Sequence, residues 1–81
     1  MNRTELRKAF VEELRRIAPE LEENDLKSDR PLREQVDLDS MDWLNFLVAL
    51  HERLKVDIPE ADYRRLATLD QALDYLGGKL T

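Results

Sequence analysis

Apolar residues recur along the first stretch of the chain at helical intervals: Leu6, Phe10, Leu14 and Ile17 are spaced by four, four and three, with Glu5, Arg7, Lys8, Glu12, Glu13, Arg15 and Arg16 mostly on the other side. Asn2 and Glu5 stand at capping-box spacing and Pro19 closes the run, so the pattern predicts a helix over about 3–18. From 19 to 38 no period is sustained. Pro19, Asn24, Pro31 and several aspartates interrupt it, and the segment reads as a long loop pinned by Leu21, Leu26, Leu32, Val36 and Leu38, with a short helical turn around 31–36 as the alternative.

A second helix is expected to begin at Asp39 or Ser40. Met41, Trp43, Leu44, Phe46, Leu47, Val48, Ala49, Leu50 and Leu54 cover more than one narrow stripe, so this central helix is expected to touch neighbours on two sides. Pro59 suits the first turn of a short third helix ending near Leu66. Thr68 and Gln71 have capping-box spacing before a fourth helix whose inward face is Leu69, Ala72, Leu73, Leu76 and Leu80, with Gly77-Gly78 as its stop or frayed end. Only residues 55–58 look extended, and a lone strand has no partner. The expected fold is all-α: a four-helix bundle with three longer helices, one short helix and a long loop between the first and second, built as a single domain over 1–81.

Composition narrows the chemistry. The chain has 81 residues, no cysteine and one histidine, so disulfides, thiolate catalysis and a Cys/His metal cluster are all excluded. No apolar run approaches the roughly 18 residues of a membrane span, and the expected location is cytoplasmic. The net charge is -5, and its imbalance is local: residues 1–33 hold eight acids and eight bases, residues 34–81 ten acids and five bases. Between Glu34 and Leu50 stand Glu34, Asp37, Asp39 and Asp42 without a lysine or arginine, a segment that repels phosphate backbones and attracts a basic protein surface. Nucleic acid is therefore not an expected partner. Asp37, Asp39 and Asp42 do not make a calcium loop either, because the sixth residue from Asp37 is Asp42 and the twelfth is Val48, where an EF-hand needs Gly and Glu.

Ser40 is the candidate chemical residue. With Asp39 as N-cap it lies in the first helical turn, where backbone N–H groups lack intrahelical acceptors and favour an anion. As a nucleophile it would need a base, and His51, eleven residues along the same helix, lies about 16 Å away along the axis. Nor does a Gly-x-Ser-x-Gly elbow surround it. The spacing leaves two readings, a cap residue or an attachment point for a group added by another enzyme.

The string Asp39-Ser40-Met41-Asp42, the apolar run Leu44 to Leu50, then Leu54, Ile58-Pro59-Glu60 and Thr68-Leu69-Asp70-Gln71-Ala72-Leu73-Asp74-Tyr75-Leu76 closely resembles the acyl carrier protein and peptidyl carrier protein family over nearly the whole chain. The resemblance implies that Ser40 receives 4'-phosphopantetheine from coenzyme A through a magnesium-dependent phosphopantetheinyl transferase. The arm's terminal thiol would then hold acyl or aminoacyl groups as thioesters. It further implies a non-catalytic carrier of fatty-acid, polyketide, nonribosomal-peptide or another dedicated biosynthesis, whose partners are loading enzymes, synthases and transferases. Asp39 and Met41 would flank the cofactor, and Asp37, Asp42, Trp43, Asn45 and Glu52 would serve docking on a recognition helix. Leu47, Leu50, Leu54, Ile58, Leu66, Leu69, Ala72 and Leu73 are candidates to line a cargo space, with ordinary core as their bland role.

Several positions depart from the family pattern. Met41 stands for the usual leucine, Asn45 and His51 for residues usually acidic in fatty-acid carriers, and Arg53 with Lys55 adds positive charge beyond them. A thinned acidic face points to a dedicated pathway partner. The competing expectation is an unmodified helical interaction module with an acidic docking face. A freestanding monomer is expected under either reading.

Overall fold

The computed structural model describes residues 2–80, which form helices α1 (Arg3–Ile17), α2 (Leu32–Gln35), α3 (Ser40–Leu54) and α4 (Leu69–Leu80), a 3₁₀ turn at Glu23–Asp25 and a 3₁₀ helix at Glu60–Leu66. No strand occurs among the described residues; Pro31 and Thr68 make an isolated antiparallel bridge. The all-α expectation therefore holds, with α1, α3 and α4 as the long helices and the 3₁₀ helix as the short one.

Helix starts follow local chemistry. The Asn2 side-chain oxygen accepts the Glu5 N–H at 2.8 Å, and α1 ends at Ala18, whose N–H reaches the Leu14 carbonyl at 3.0 Å just before Pro19. At the start of α4 the capping box is reciprocal: Thr68 Oγ1 accepts the Gln71 N–H at 3.1 Å, and Gln71 Oε1 accepts the Thr68 N–H at 3.3 Å. The short third helix is 3₁₀ rather than α, preceded by Pro59, whose carbonyl accepts the Asp62 N–H at 2.8 Å.

Gly77 and Gly78 do not end α4, which runs on to Leu80. Neither glycine has positive φ, and space is open where a Cβ would sit, so neither a left-handed turn nor a close approach requires them. The residue in the left-handed region is Lys55, with φ 55° and ψ 42°, at the C-terminus of α3. There the chain reverses direction, assisted by His51, whose ring Nδ1 donates to the Val56 carbonyl at 2.6 Å.

The core is one continuous cluster. α1 packs on α3 and α4, and Phe10 meets Phe46 edge to face with ring centroids 5.0 Å apart. The eight candidates for a cargo lining, Leu47, Leu50, Leu54, Ile58, Leu66, Leu69, Ala72 and Leu73, are all buried within this core. On α3, Phe46, Leu47, Leu50 and Leu54 are buried, whereas Met41, Leu44 and Val48 are exposed; the helix packs on α1 and also borders the 3₁₀ helix, where Trp43 and Val48 line clefts with Tyr63, so it has neighbours on two sides. The Met41, Leu44 and Val48 stripe lies on the outward side of α3, with Val48 at the edge of a cleft that Ile58 and Tyr63 also line.

The long segment between α1 and α3 is well tied down. Leu21, Leu26, Leu32, Val36 and Leu38 are all buried, as their isolated positions suggested. The alternative helical turn is present as α2. Gln35 staples the loop, its amide donating to the carbonyls of Lys27 (2.7 Å) and Arg30 (3.0 Å) while its oxygen accepts the Lys27 N–H at 2.6 Å. Two backbone bonds fasten the segment to the start of α4: Leu32 N–H to the Ala67 carbonyl at 2.8 Å, and Asp70 N–H to the Ser28 carbonyl at 3.0 Å. A loop so fixed holds the start of α3 in a defined place.

Candidate functional site

Ser40 is the first residue of α3 and is exposed. Asp39 precedes it with extended backbone (φ -80°, ψ 179°), and its side-chain oxygen accepts the Asp42 N–H at 2.8 Å. That cap satisfies one donor of the first turn; the Asp39 carbonyl takes the Trp43 N–H at 3.0 Å. By helix geometry the N–H groups of Ser40 and Met41 have no carbonyl one turn back to bond. The serine thus sits at a rigid, open helix mouth.

Among the described residues no side chain hydrogen-bonds to the Ser40 hydroxyl. His51 is engaged at the far end of α3 with the Val56 carbonyl, and the Asp39 carboxylate is engaged as the cap. Among the described residues the arrangement offers no general base hydrogen-bonded to the hydroxyl, as a nucleophilic serine requires. No cluster of three or more His, Asp or Glu suited to a metal ion occurs among the described residues.

The helix start suits an attached phosphodiester better than a free one. Its partial positive charge favours an anion by about 0.3–1 kcal/mol at an exposed site, and the Asp39 and Asp42 carboxylates oppose it. Non-covalent capture fails on that balance, whereas a covalent link through Ser40 needs no more than an accessible hydroxyl. The residues present therefore fit a group esterified to Ser40.

Of the docking candidates, Asp37, Asn45 and Glu52 are exposed, while Asp42 and Trp43 are half-buried. Trp43 packs on the core edge, its ring 5.5 Å from that of Phe46. Arg53 does not extend the surface charge as its position in sequence suggested, because its guanidinium pairs with Glu12 at 2.9 Å and Glu13 at 3.1 Å on α1. That correction removes one of the cations supposed to thin the acidic face.

Sequence reasoning missed the exposed apolar stripe. Met41 (64% exposed), Leu44 (41%) and Val48 (44%) lie at i, i+3 and i+7, beginning directly beside Ser40. The spacing was visible, but the stripe through Trp43, Leu47, Leu50 and Leu54 was equally regular, and periodicity alone does not say which stripe faces water. Also unforeseen is a cleft of about 250 Å³ on the flank of Trp43, lined by Pro31, Arg33, Tyr63, Arg64 and Ala67.

A family model described as "Phosphopantetheine attachment site" matches residues 4–76. The match runs from the first turn of α1 through the capped start of α3 to Leu76 in α4.

Proposed function

The chain belongs to the phosphopantetheine attachment site family, whose members carry a covalently attached 4'-phosphopantetheine group, and from that premise we propose that Ser40 is the attachment residue of a carrier domain spanning 1–81. The observation that carries the proposal is an exposed hydroxyl at the first position of α3 that no side chain among the described residues hydrogen-bonds. On attachment the Ser40 Oγ becomes an ester oxygen to phosphorus, the nucleotide part of coenzyme A leaves, and the serine proton passes to a base belonging to the transferase. The attached group supplies a terminal thiol at which acyl or aminoacyl cargo is held as a thioester.

The residues around the serine divide the remaining work. Asp39 holds the first turn, so the hydroxyl is presented in a fixed direction, and Met41 lies next to it for contact with the transferase. Met41, Leu44 and Val48 form an apolar strip, and Asp37, Asp42, Asn45 and Glu52 surround it with polar and acidic groups. An apolar centre with a charged rim favours brief, steered encounters, since rim charges raise association rates more than affinity and are screened at cellular salt. Such contacts suit a monomer that serves a transferase, loading enzymes and synthases in turn. We assign it to a dedicated acyl, polyketide or peptide pathway in the cytoplasm, because Asn45 and His51 stand where fatty-acid carriers usually have acids.

Coexpression with a broad-specificity phosphopantetheinyl transferase followed by intact-mass measurement tests this reading. Wild type is expected to gain one phosphopantetheine and Ser40→Ala none. Wild type left unmodified, under conditions that convert a control carrier, would support the unmodified interaction module instead.

A further inference from the structure

The cleft beside Trp43 is built from three separate parts of the chain: Pro31 and Arg33 at α2, Trp43 on α3, and Tyr63, Arg64 and Ala67 at the 3₁₀ helix and its end. Its walls are fastened together by the Leu32 N–H bond to the Ala67 carbonyl (2.8 Å) and the Pro31–Thr68 bridge. The floor is aromatic, since Trp43 and Tyr63 are half-buried and packed against the core. Arg33 at α2 and Arg64 on the 3₁₀ helix both line it, and neither makes an ion pair with a described residue. The nearby Asp62 carboxylate is directed elsewhere, accepting the Tyr75 hydroxyl at 2.6 Å. A chain with net charge -5 thus gathers two arginines over an aromatic surface one turn from Ser40.

We propose that this cleft seats the distal end of a short, carboxylate-bearing acyl group carried on Ser40, its chain against Trp43 and Tyr63 and its carboxylate between Arg33 and Arg64. The inference rests on Ser40 being the attachment residue and names the class of cargo. Planar guanidinium groups pair with carboxylates through two parallel N–H bonds, and the aromatic walls exclude water from one side of that contact. About 250 Å³ is below the usual range for a drug-sized ligand, which favours a short group over a long fatty chain. Both arginines are exposed, so a free dicarboxylate would bind weakly. Ser40 and Trp43, three residues apart on one helix, share a face, and a tether at Ser40 converts that weak contact into an intramolecular one at an effective concentration on the order of millimolar.

The test loads Ser40 enzymatically from glutaryl- and pentanoyl-coenzyme A, whose acyl groups differ by a carboxylate in place of a methyl. Trp43 is the sole tryptophan, so its emission and its indole N–H resonance report on the cleft directly. Glutaryl loading is expected to shift both signals and to perturb the Arg33 and Arg64 side-chain resonances, pentanoyl loading to leave them near those of the unacylated form. The Arg33→Gln/Arg64→Gln variant is expected to lose the glutaryl response while keeping its thermal midpoint. Equal Trp43 signals for the two loaded wild-type forms, or a glutaryl response that survives in the variant, overturn the inference alone. Absence of the acyl-phosphopantetheine mass on Ser40 overturns both it and the attachment reading.

Discussion

Arg53, near the end of α3, donates to the buried carboxylate of Glu13 on α1 at 3.1 Å and, through its other terminal nitrogen, to Glu12 at 2.9 Å. Glu13 is the one buried charged residue among the described positions, and Arg16 stands 3.8 Å from its second oxygen. Replacing Arg53 by Met leaves Glu13 buried with a weaker partner. The expected loss is about 1–3 kcal/mol, short of a fully buried pair because Arg53 is 35% exposed. Denaturant unfolding measures it, and Glu13→Leu in the Arg53→Met background is expected to recover a large part.

The bond from Arg53 to Glu12 gives a pH dependence. The hydrogen bond from Arg53 holds the Glu12 carboxyl below its ordinary value of 4.5. A depressed folded-state pKa means the contribution is present above about pH 4.5 and is lost as pH falls through the lower folded value. Arg53→Met is expected to flatten that part of the acid limb relative to wild type. An unchanged slope in the variant would show that other carboxylates dominate it.

Asp39 joins two roles that substitution can separate. Asp39→Ala removes the acceptor for the Asp42 N–H and is expected to cost about 0.5–2 kcal/mol, whereas Asp39→Asn keeps the cap and costs a few tenths. Both remove the charge. If that charge guides the transferase, Asp39→Asn slows modification of Ser40 while its unfolding midpoint stays near wild type. Losses of rate that merely track stability across the two variants would make Asp39 a structural residue only.

Two backbone positions carry residues that local conformation disfavours. Lys55 occupies left-handed backbone at φ 55°, and Gly77 lies within a helix with open space beside it. Lys55→Gly relieves a steric cost of about 1 kcal/mol, partly offset by the greater freedom of glycine when unfolded. Gly77→Ala is expected to stabilise α4 by about 0.5–1 kcal/mol, less if the last turn frays. Thermal melts of each variant check the signs; a fall in midpoint for Gly77→Ala would mean that the folded chain does not accommodate a methyl group at this position.

Leu44→Gln and Val48→Gln remove exposed apolar surface from α3. Stability is expected to change by no more than about 0.5 kcal/mol, while the rate of Ser40 modification falls several-fold. Parallel measurement of unfolding and of intact-mass conversion separates docking from folding. Full-rate modification of both variants would remove the apolar strip from the proposed docking surface.

Local chemistry made much of the fold legible. The caps at Asn2, Asp39 and Thr68 are contacts within three residues, so their spacing is the whole of the signal, and each start of α1, α3 and α4 follows from it. The pinning residues of the long loop were legible for a similar reason: an isolated leucine or valine in a polar stretch has nowhere favourable to go except the core. Gly77-Gly78 misled because glycine weakens a helix without forbidding it, and the flanking Leu76 burial outweighs a propensity cost of about 1 kcal/mol.

The amino-acid order by itself determined an all-α chain, its helix starts, and a serine at the first turn of the central helix with the one histidine of that helix out of its reach. Those are properties of near neighbours. Only the tertiary structure decided that Met41, Leu44 and Val48 face outward, that Arg53 turns back to Glu13, and that Arg33 and Arg64 line one cleft with Trp43 and Tyr63. Each of these depends on which helix face finds a neighbour and on residues up to 40 positions apart, as in the Glu13–Arg53 bond. Periodicity assigns residues to a face; which face is buried is settled by packing between helices.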